Sequence, residues 1–164
     1  MRSFSLILFI FFCAVFSVGL VSAAEISAKD IACNLGEERS VEVWLSDAPT
    51  GLAGYIVKPV LQGAGIADVS FFPSWQFGLS SVDPNTHTAS ALDLYAVMTP
   101  GSNPFLLGML HIYARTAGES MLYFNIEEMT DHRGESIIAN QKGIKIRVSE
   151  EERPSSILGL GVYP

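Results

Sequence analysis

From Ser40 onward, apolar and polar residues alternate at every second position in segment after segment, with turn-forming residues between the segments. A strand turns successive side chains to opposite faces, so this period builds half-buried strands and not helices. In Ser40–Leu45, Val41, Val43 and Leu45 share one face. Asp47–Gly51 is a turn cluster, fixed by Pro49 and Gly51. Leu52–Leu61 is the next strand, and Gly54 and Pro59 make it bent, bulged or marginal in its sheet. Ile66–Phe72 follows, ending at Pro73. Ser74–Ser90 is expected to be a long loop with a short strand at Trp75–Leu79. Ala91–Met98, Phe105–Arg115, Ser120–Glu127, Ile137–Ile138 and Gly143–Val148 complete the series. Eight or nine strands at this spacing, with no sustained helical period, predict an all-β sandwich whose alternating faces pack against each other.

The ends differ from the middle. Arg2, the apolar run Phe4–Val21 and the small-x-small pattern Val21-Ser22-Ala23 make residues 1–24 a secretory signal peptide, cleaved after Ala23 or Ala24. The alternative is a retained membrane anchor, since 18 apolar residues lie at the lower edge of a bilayer span. Membrane contact is expected only through that leader. Residues 25–149 form the domain. Residues 150–164 are a tail, polar to Ser156 and then apolar. The expected location is extracellular or at the cell surface.

Charge narrows the partners. Ten basic residues stand against seventeen acidic ones, a net charge of −7. Loss of Arg2 with the leader makes it −8. Phosphate neutralisation needs Lys and Arg, so nucleic acid is excluded as a partner. The chain has two cysteines, Cys13 and Cys33, and removal of the leader leaves Cys33 alone. An intrachain disulfide is then ruled out. Cys33 is expected to be buried as a small hydrophobe, with a disulfide-linked dimer as the alternative.

Four segments in order resemble the cohesin-like domains of the carbohydrate-binding-module superfamily, of the kind found in archaeal and bacterial surface proteins. They are Val41–Leu45 leading into Pro49–Tyr55, Val69–Trp75, Leu107–Ile112, and Gly118-Glu119-Ser120 followed by Asp131-His132-Arg133-Gly134. The likeness runs from about Glu25 to Val148. It implies a jelly-roll β-sandwich of about nine strands. Cohesins bind dockerin, a small calcium-loaded module, on one sheet face, and relatives in fold bind polysaccharide. Where cohesins carry a Tyr-Asp or similar pair near that face, this chain has Lys58-Pro59.

The chemistry visible in the residues favours binding over catalysis. His87, His111 and His132 have no metal-ligand spacing. There is no Gly-x-Ser-x-Gly elbow, phosphate loop or dinucleotide fingerprint. Glu127 and Glu128 point to opposite faces of a strand, which is poor geometry for a glycosidase pair. Asp131 and Glu135 could flank one loop and hold calcium with backbone carbonyls, or simply form a solvated turn. No other cofactor is expected. Aromatic side chains are the stronger lead, because Tyr and Trp anchor protein partners and offer flat faces to sugars. Tyr55, Trp75 and Tyr95 are the candidate ligand-binding residues, and Trp44 is expected to be exposed. The function expected is an exported, non-catalytic recognition module for a protein partner. A polysaccharide-binding module is the alternative, and a secreted hydrolase the remote one.

Overall fold

A computed structural model describes residues 23–46, 48–63, 65–101 and 104–150; residues 1–22 of the expected leader and 151–164 of the tail lie outside them. Eleven strands occur among the described residues, numbered here in chain order. They are β1 (Ala24–Ala28), β2 (Ile31–Asn34), β3 (Glu38–Ser46), β4 (Gly54–Gln62), β5 (Ala67–Pro73), β6 (Gly78–Val82), β7 (Ala89–Asp93), β8 (Phe105–Ala114), β9 (Gly118–Thr130), β10 (Ala139–Gln141) and β11 (Ile144–Ser149). The jelly-roll β-sandwich expected from the sequence is the fold. One sheet runs β10-β1-β3-β8-β5 and the other β2-β11-β9-β4-β7-β6.

Alternation places the core. Val43 and Leu45 of β3 point inward, as do Leu107, Leu110 and Ile112 of β8, Leu122 and Phe124 of β9, and Ile144, Ile146 and Val148 of β11. Each such side chain, fully buried, contributes about 1.5–3 kcal/mol from desolvation. Aromatic rings bridge the two layers. Phe71 meets Phe124 edge to face at 5.2 Å, and Tyr55 meets Phe77 likewise at 5.1 Å. Offset and edge-on contacts of this kind add to the area term. Tyr55 also reaches across the sandwich, its hydroxyl donating to the Leu107 carbonyl at 2.6 Å.

Pro59 sits inside β4, a strand with neighbours on both sides, although proline cannot donate to a ladder. β7 pairs only with Gly54–Val57, so β4 has lost that neighbour by Pro59. A register shift at Ile56/Val57 precedes it, so the strand is bulged as expected. Beyond the start of β11, the Gln141 amide replaces a strand neighbour. Its Oε1 accepts from Phe124 N–H at 2.6 Å and its Nε2 donates to Phe124 C=O at 2.7 Å.

Three expectations are corrected. Ile137–Ile138 is not a strand; the strand there is β10, Ala139–Gln141. Ser74–Ser90 is not a long loop. It holds a 3-10 turn at Trp75–Phe77, strand β6 and a tight Asp83–Thr88 turn. Asp83 Oδ1 caps that turn by accepting from Asn85 N–H at 2.8 Å, and β6 then pairs with β7. The strand expected at Ala91–Met98 stops at Asp93, because the chain turns there and Ala96 takes φ +49°. Cys33 is buried and free, its thiol facing the Arg147 carbonyl at 3.9 Å. Burial, with Glu37 nearby, raises its pKa. A thiol in that position is not presented to a second chain, which removes the basis for a disulfide-linked dimer.

Gly108 shows how closely the first sheet is packed. A Cβ there would lie 2.2 Å from the Phe72 carbonyl oxygen and 2.8 Å from the Phe71 ring. Gly108→Ala is expected to lower unfolding free energy by about 2–3 kcal/mol in urea melts, the cost of overpacking against backbone that cannot swing aside.

Candidate functional site

Two surfaces stand out. The first is the outer face of the six-stranded sheet. Cross-strand pairing fixes its members: Ile56 lies beside Ser90 and Glu128, and Leu92 pairs with both Leu79 and Gly54. Leu79 and Leu92 are 56% and 45% exposed, unusual for leucines on a sheet, while their neighbours Ala89 and Ala91 face the core. Between them lies a shallow depression of 330 Å³ with Ile56, Leu79 and Leu92 as its apolar floor and Ser81, Ser90 and Glu128 around it. A second depression of 460 Å³ adjoins it, lined by Lys58, Asp83, Thr86, Thr88 and Glu127; the register shift opposite Ile56/Val57 brings Glu127 to the same side as Glu128, correcting the expectation that they point to opposite faces. The face is therefore a small apolar centre with polar and charged residues of both signs at its rim. Core-and-rim composition of this kind is typical of protein interfaces.

The second surface is a cleft of 540 Å³ at one end of the sandwich, lined by Trp44, Trp75, Gln76, Tyr95, Pro104 and Leu106 among others. Two turns build it. Ser74 caps the 3-10 turn, accepting from Gln76 N–H, and buried Phe77 anchors it, so Trp75 projects outward at 84% exposure. The second turn hangs from Asp93, whose carboxylate is buried. Its Oδ2 accepts from Met98 N–H at 2.8 Å and its Oδ1 from Val97 N–H at 3.1 Å. His132 Nε2 stands 3.4 Å from Oδ2. Tyr95, held on this turn, lays its ring against Gly78, where a Cβ would come within 2.6 Å of the ring. Gly78 also takes φ +81°, a conformation natural only to glycine.

The candidates read from sequence separate here. Trp75 and Tyr95 come together in the cleft. Tyr55 does not: it is 2% exposed, and burial raises its phenol pKa far above the usual value. Its place as a candidate ligand-binding residue is withdrawn, because its strand parity points it into the core. Trp44 is half-buried and donates through Nε1 to Glu42 at 3.2 Å. His87 and His111 border one depression and His132 lies elsewhere, beside Asp93. His111 sits on the other sheet, against the Ser40 hydroxyl and the Phe72 ring. Asp131 closes its own turn, its Oδ1 accepting from Arg133 N–H at 2.8 Å and Glu135 N–H at 3.0 Å. Desolvation pushes the Asp131 pKa up, but bonds from Glu135, Arg133 and Thr50 outweigh it and the net direction is down. Glu135 is exposed, and among the described residues no group of three or more His, Cys, Asp or Glu converges to hold a metal.

Sequence reasoning missed Leu79, Leu92 and Asp93. A signal existed in β7, where Ala89, Ala91 and Asp93 share one parity and Leu92 the other. Small residues on the inward side free the larger one to face out, and a carboxylate in register with them must find N–H partners.

No protein-family model matches the chain, and no curated protein matches it. Solved structures do. The CaCohA2 cohesin of Clostridium acetobutylicum is 17% identical with TM-score 0.59, covering 77% of this chain and 91% of that one. The OlpC cohesin of Clostridium thermocellum, in complex with the Doc435 dockerin, is 9% identical with TM-score 0.61, covering 78% and 94%. A non-cellulosomal cohesin from the archaeon Archaeoglobus fulgidus is 14% identical with TM-score 0.59, covering 80% and 94%. The chain has the fold of these cohesin domains.

Two measurements check the reassigned residues. Tyr55→Phe is expected to cost about 1 kcal/mol of stability in chemical denaturation, because one buried hydrogen bond is lost while Ser74 N–H still satisfies the Leu107 carbonyl. Asp131 has a depressed pKa in the folded protein, so its stabilising contribution is complete above its ordinary value near ~3.9 and fades as pH falls through the folded value. Asp131→Asn is expected to flatten the stability-versus-pH curve below about pH 4, read from thermal melts across pH.

Proposed function

We propose that this chain is a non-catalytic recognition module that docks a folded protein partner on the outer face of its six-stranded sheet, at the cell surface or outside the cell. The observation that carries this reading is the apolar floor of half-buried Ile56 and exposed Leu79 and Leu92 inside a polar rim. Such a face buries a compact apolar patch on contact, while Lys58, Asp83, Glu127 and Glu128 at its margin select the partner by charge. The shared fold supports it, since cohesins of this shape are solved in complex with dockerins. The leader read in residues 1–24 supports export.

A dockerin-type module is the first partner to test. Lys58 at this face gives the chain its own charge there, so the partner is expected to differ in detail from those of the solved cohesins. Immobilised protein should be challenged with dockerin modules and with envelope and secreted fractions of the source organism. Leu92→Asp is expected to weaken the specific partner at least tenfold by calorimetry, by placing an uncompensated charge in the buried centre. Stability should change by no more than about 0.5 kcal/mol, as the side chain is half in water already. A partner indifferent to Leu92→Asp and to Leu79→Asp would remove this face from the reading.

A further inference from the structure

We infer that the cleft between Trp75 and Tyr95 is a second binding site, separate from the sheet face, for an extended proline-rich peptide segment. Both tryptophans of the chain line this one cleft, and Trp75 gives almost nothing to the fold at 84% exposure. Tyr95 is 70% exposed, yet its ring is not free to wander: it rests against Gly78. The turn that carries it is held by the buried Asp93 carboxylate and contains Ala96 at φ +49°. A non-glycine residue in the left-handed region costs free energy, and here the surrounding structure sustains it beside a pair of exposed rings. Two rigid turns thus hold aromatic faces open to solvent before any ligand arrives. Preorganisation of this kind reduces the entropy lost on binding.

The lining decides the ligand class. It is aromatic and aliphatic, with Pro104 and Leu106 beside the rings, and carries no charged side chain although the chain as a whole is acidic. An anionic ligand finds no counter-charge there. A glycan would bring a hydroxyl on nearly every ring carbon, and each buried one needs a partner. The cleft offers few: the Gln76 amide, the Tyr95 phenol and indole N–H groups, of which that of Trp44 already donates to Glu42. A polyproline II segment asks for less. Its proline rings fill apolar slots between aromatic side chains, it has no N–H to satisfy at proline, and its carbonyls accept from donors such as Gln76 and Trp75. Aromatic-lined grooves recognise proline-rich peptides through this complementarity.

Intrinsic fluorescence reads the cleft directly, since its emission comes from Trp44 and Trp75. Titration of the purified protein with a peptide of PxxP repeats is expected to shift emission to shorter wavelength. Trp75→Ala should weaken the peptide at least tenfold by calorimetry, with an unchanged far-UV circular-dichroism spectrum. Leu92→Asp should leave peptide affinity as it was, which separates this site from the sheet face. Three results would overturn the inference: no shift with the peptide, a peptide affinity that survives Trp75→Ala, or a shift with cellohexaose or mannohexaose and none with the peptide.

Discussion

Tyr55 carries one hydrogen bond through the centre of this molecule. Its strand belongs to one sheet and its acceptor, the Leu107 carbonyl, to the other. Around that bond its ring touches Phe77 edge-on and lies within 6.4 Å of Phe71, which meets Phe124 in turn. Apolar contact alone holds two sheets at a distance but tolerates sliding. A buried directional bond does not, because a shifted sheet would leave the phenol dry and unpaired, while the Leu107 carbonyl kept only its bond from Ser74 N–H. The relative placement of the layers is therefore set by a polar contact inside an apolar core.

That placement is what the turns at the sandwich end depend on. The 3-10 turn leaves β5 of one sheet and delivers the chain to β6 of the other, with Phe77 inserted beside Tyr55. From there β6 pairs with β7, and Asp93 at the end of β7 organises the next turn. The outward leucines and the exposed rings are thus positioned by a continuous path of ladder bonds, one aromatic anchor and one carboxylate.

Much of this architecture was legible in the residues. Period-two alternation located most strands because each has one wet and one dry face, and β3, β8, β9 and β11 read cleanly for that reason. Sequence alone was weaker where the period carried little contrast. In Gly78–Val82 nearly every residue is exposed or half-exposed, so β6 looked like loop. In β7 the inward residues are Ala, Ala and Asp, and hydrophobicity pointed to the wrong side. Tyr55 was misjudged because an aromatic ring serves a core and a binding face equally well, and its neighbours Gly54 and Ile56 give no contrast. Trp75 and Tyr95 were read as aromatics on or next to strands; the structure places both in turns, where a large ring has no core to enter.

The first two strands divide between the sheets. Ala24–Ala28 joins one and Ile31–Asn34 the other, with only Lys29 and Asp30 between them. The second of these has a single ladder neighbour, Ile144–Ser149, at the far end of the domain, and Asp30 accepts there from Lys145 N–H across 115 positions of sequence. Closing so long a span comes at an entropic cost before any bond rewards it, and pairing of this kind slows folding. A chain emerging from the ribosome therefore exposes an open sheet edge near its beginning until its last strand has been made. Completion of the domain therefore waits until Ile144–Ser149 is available to pair with Ile31–Asn34.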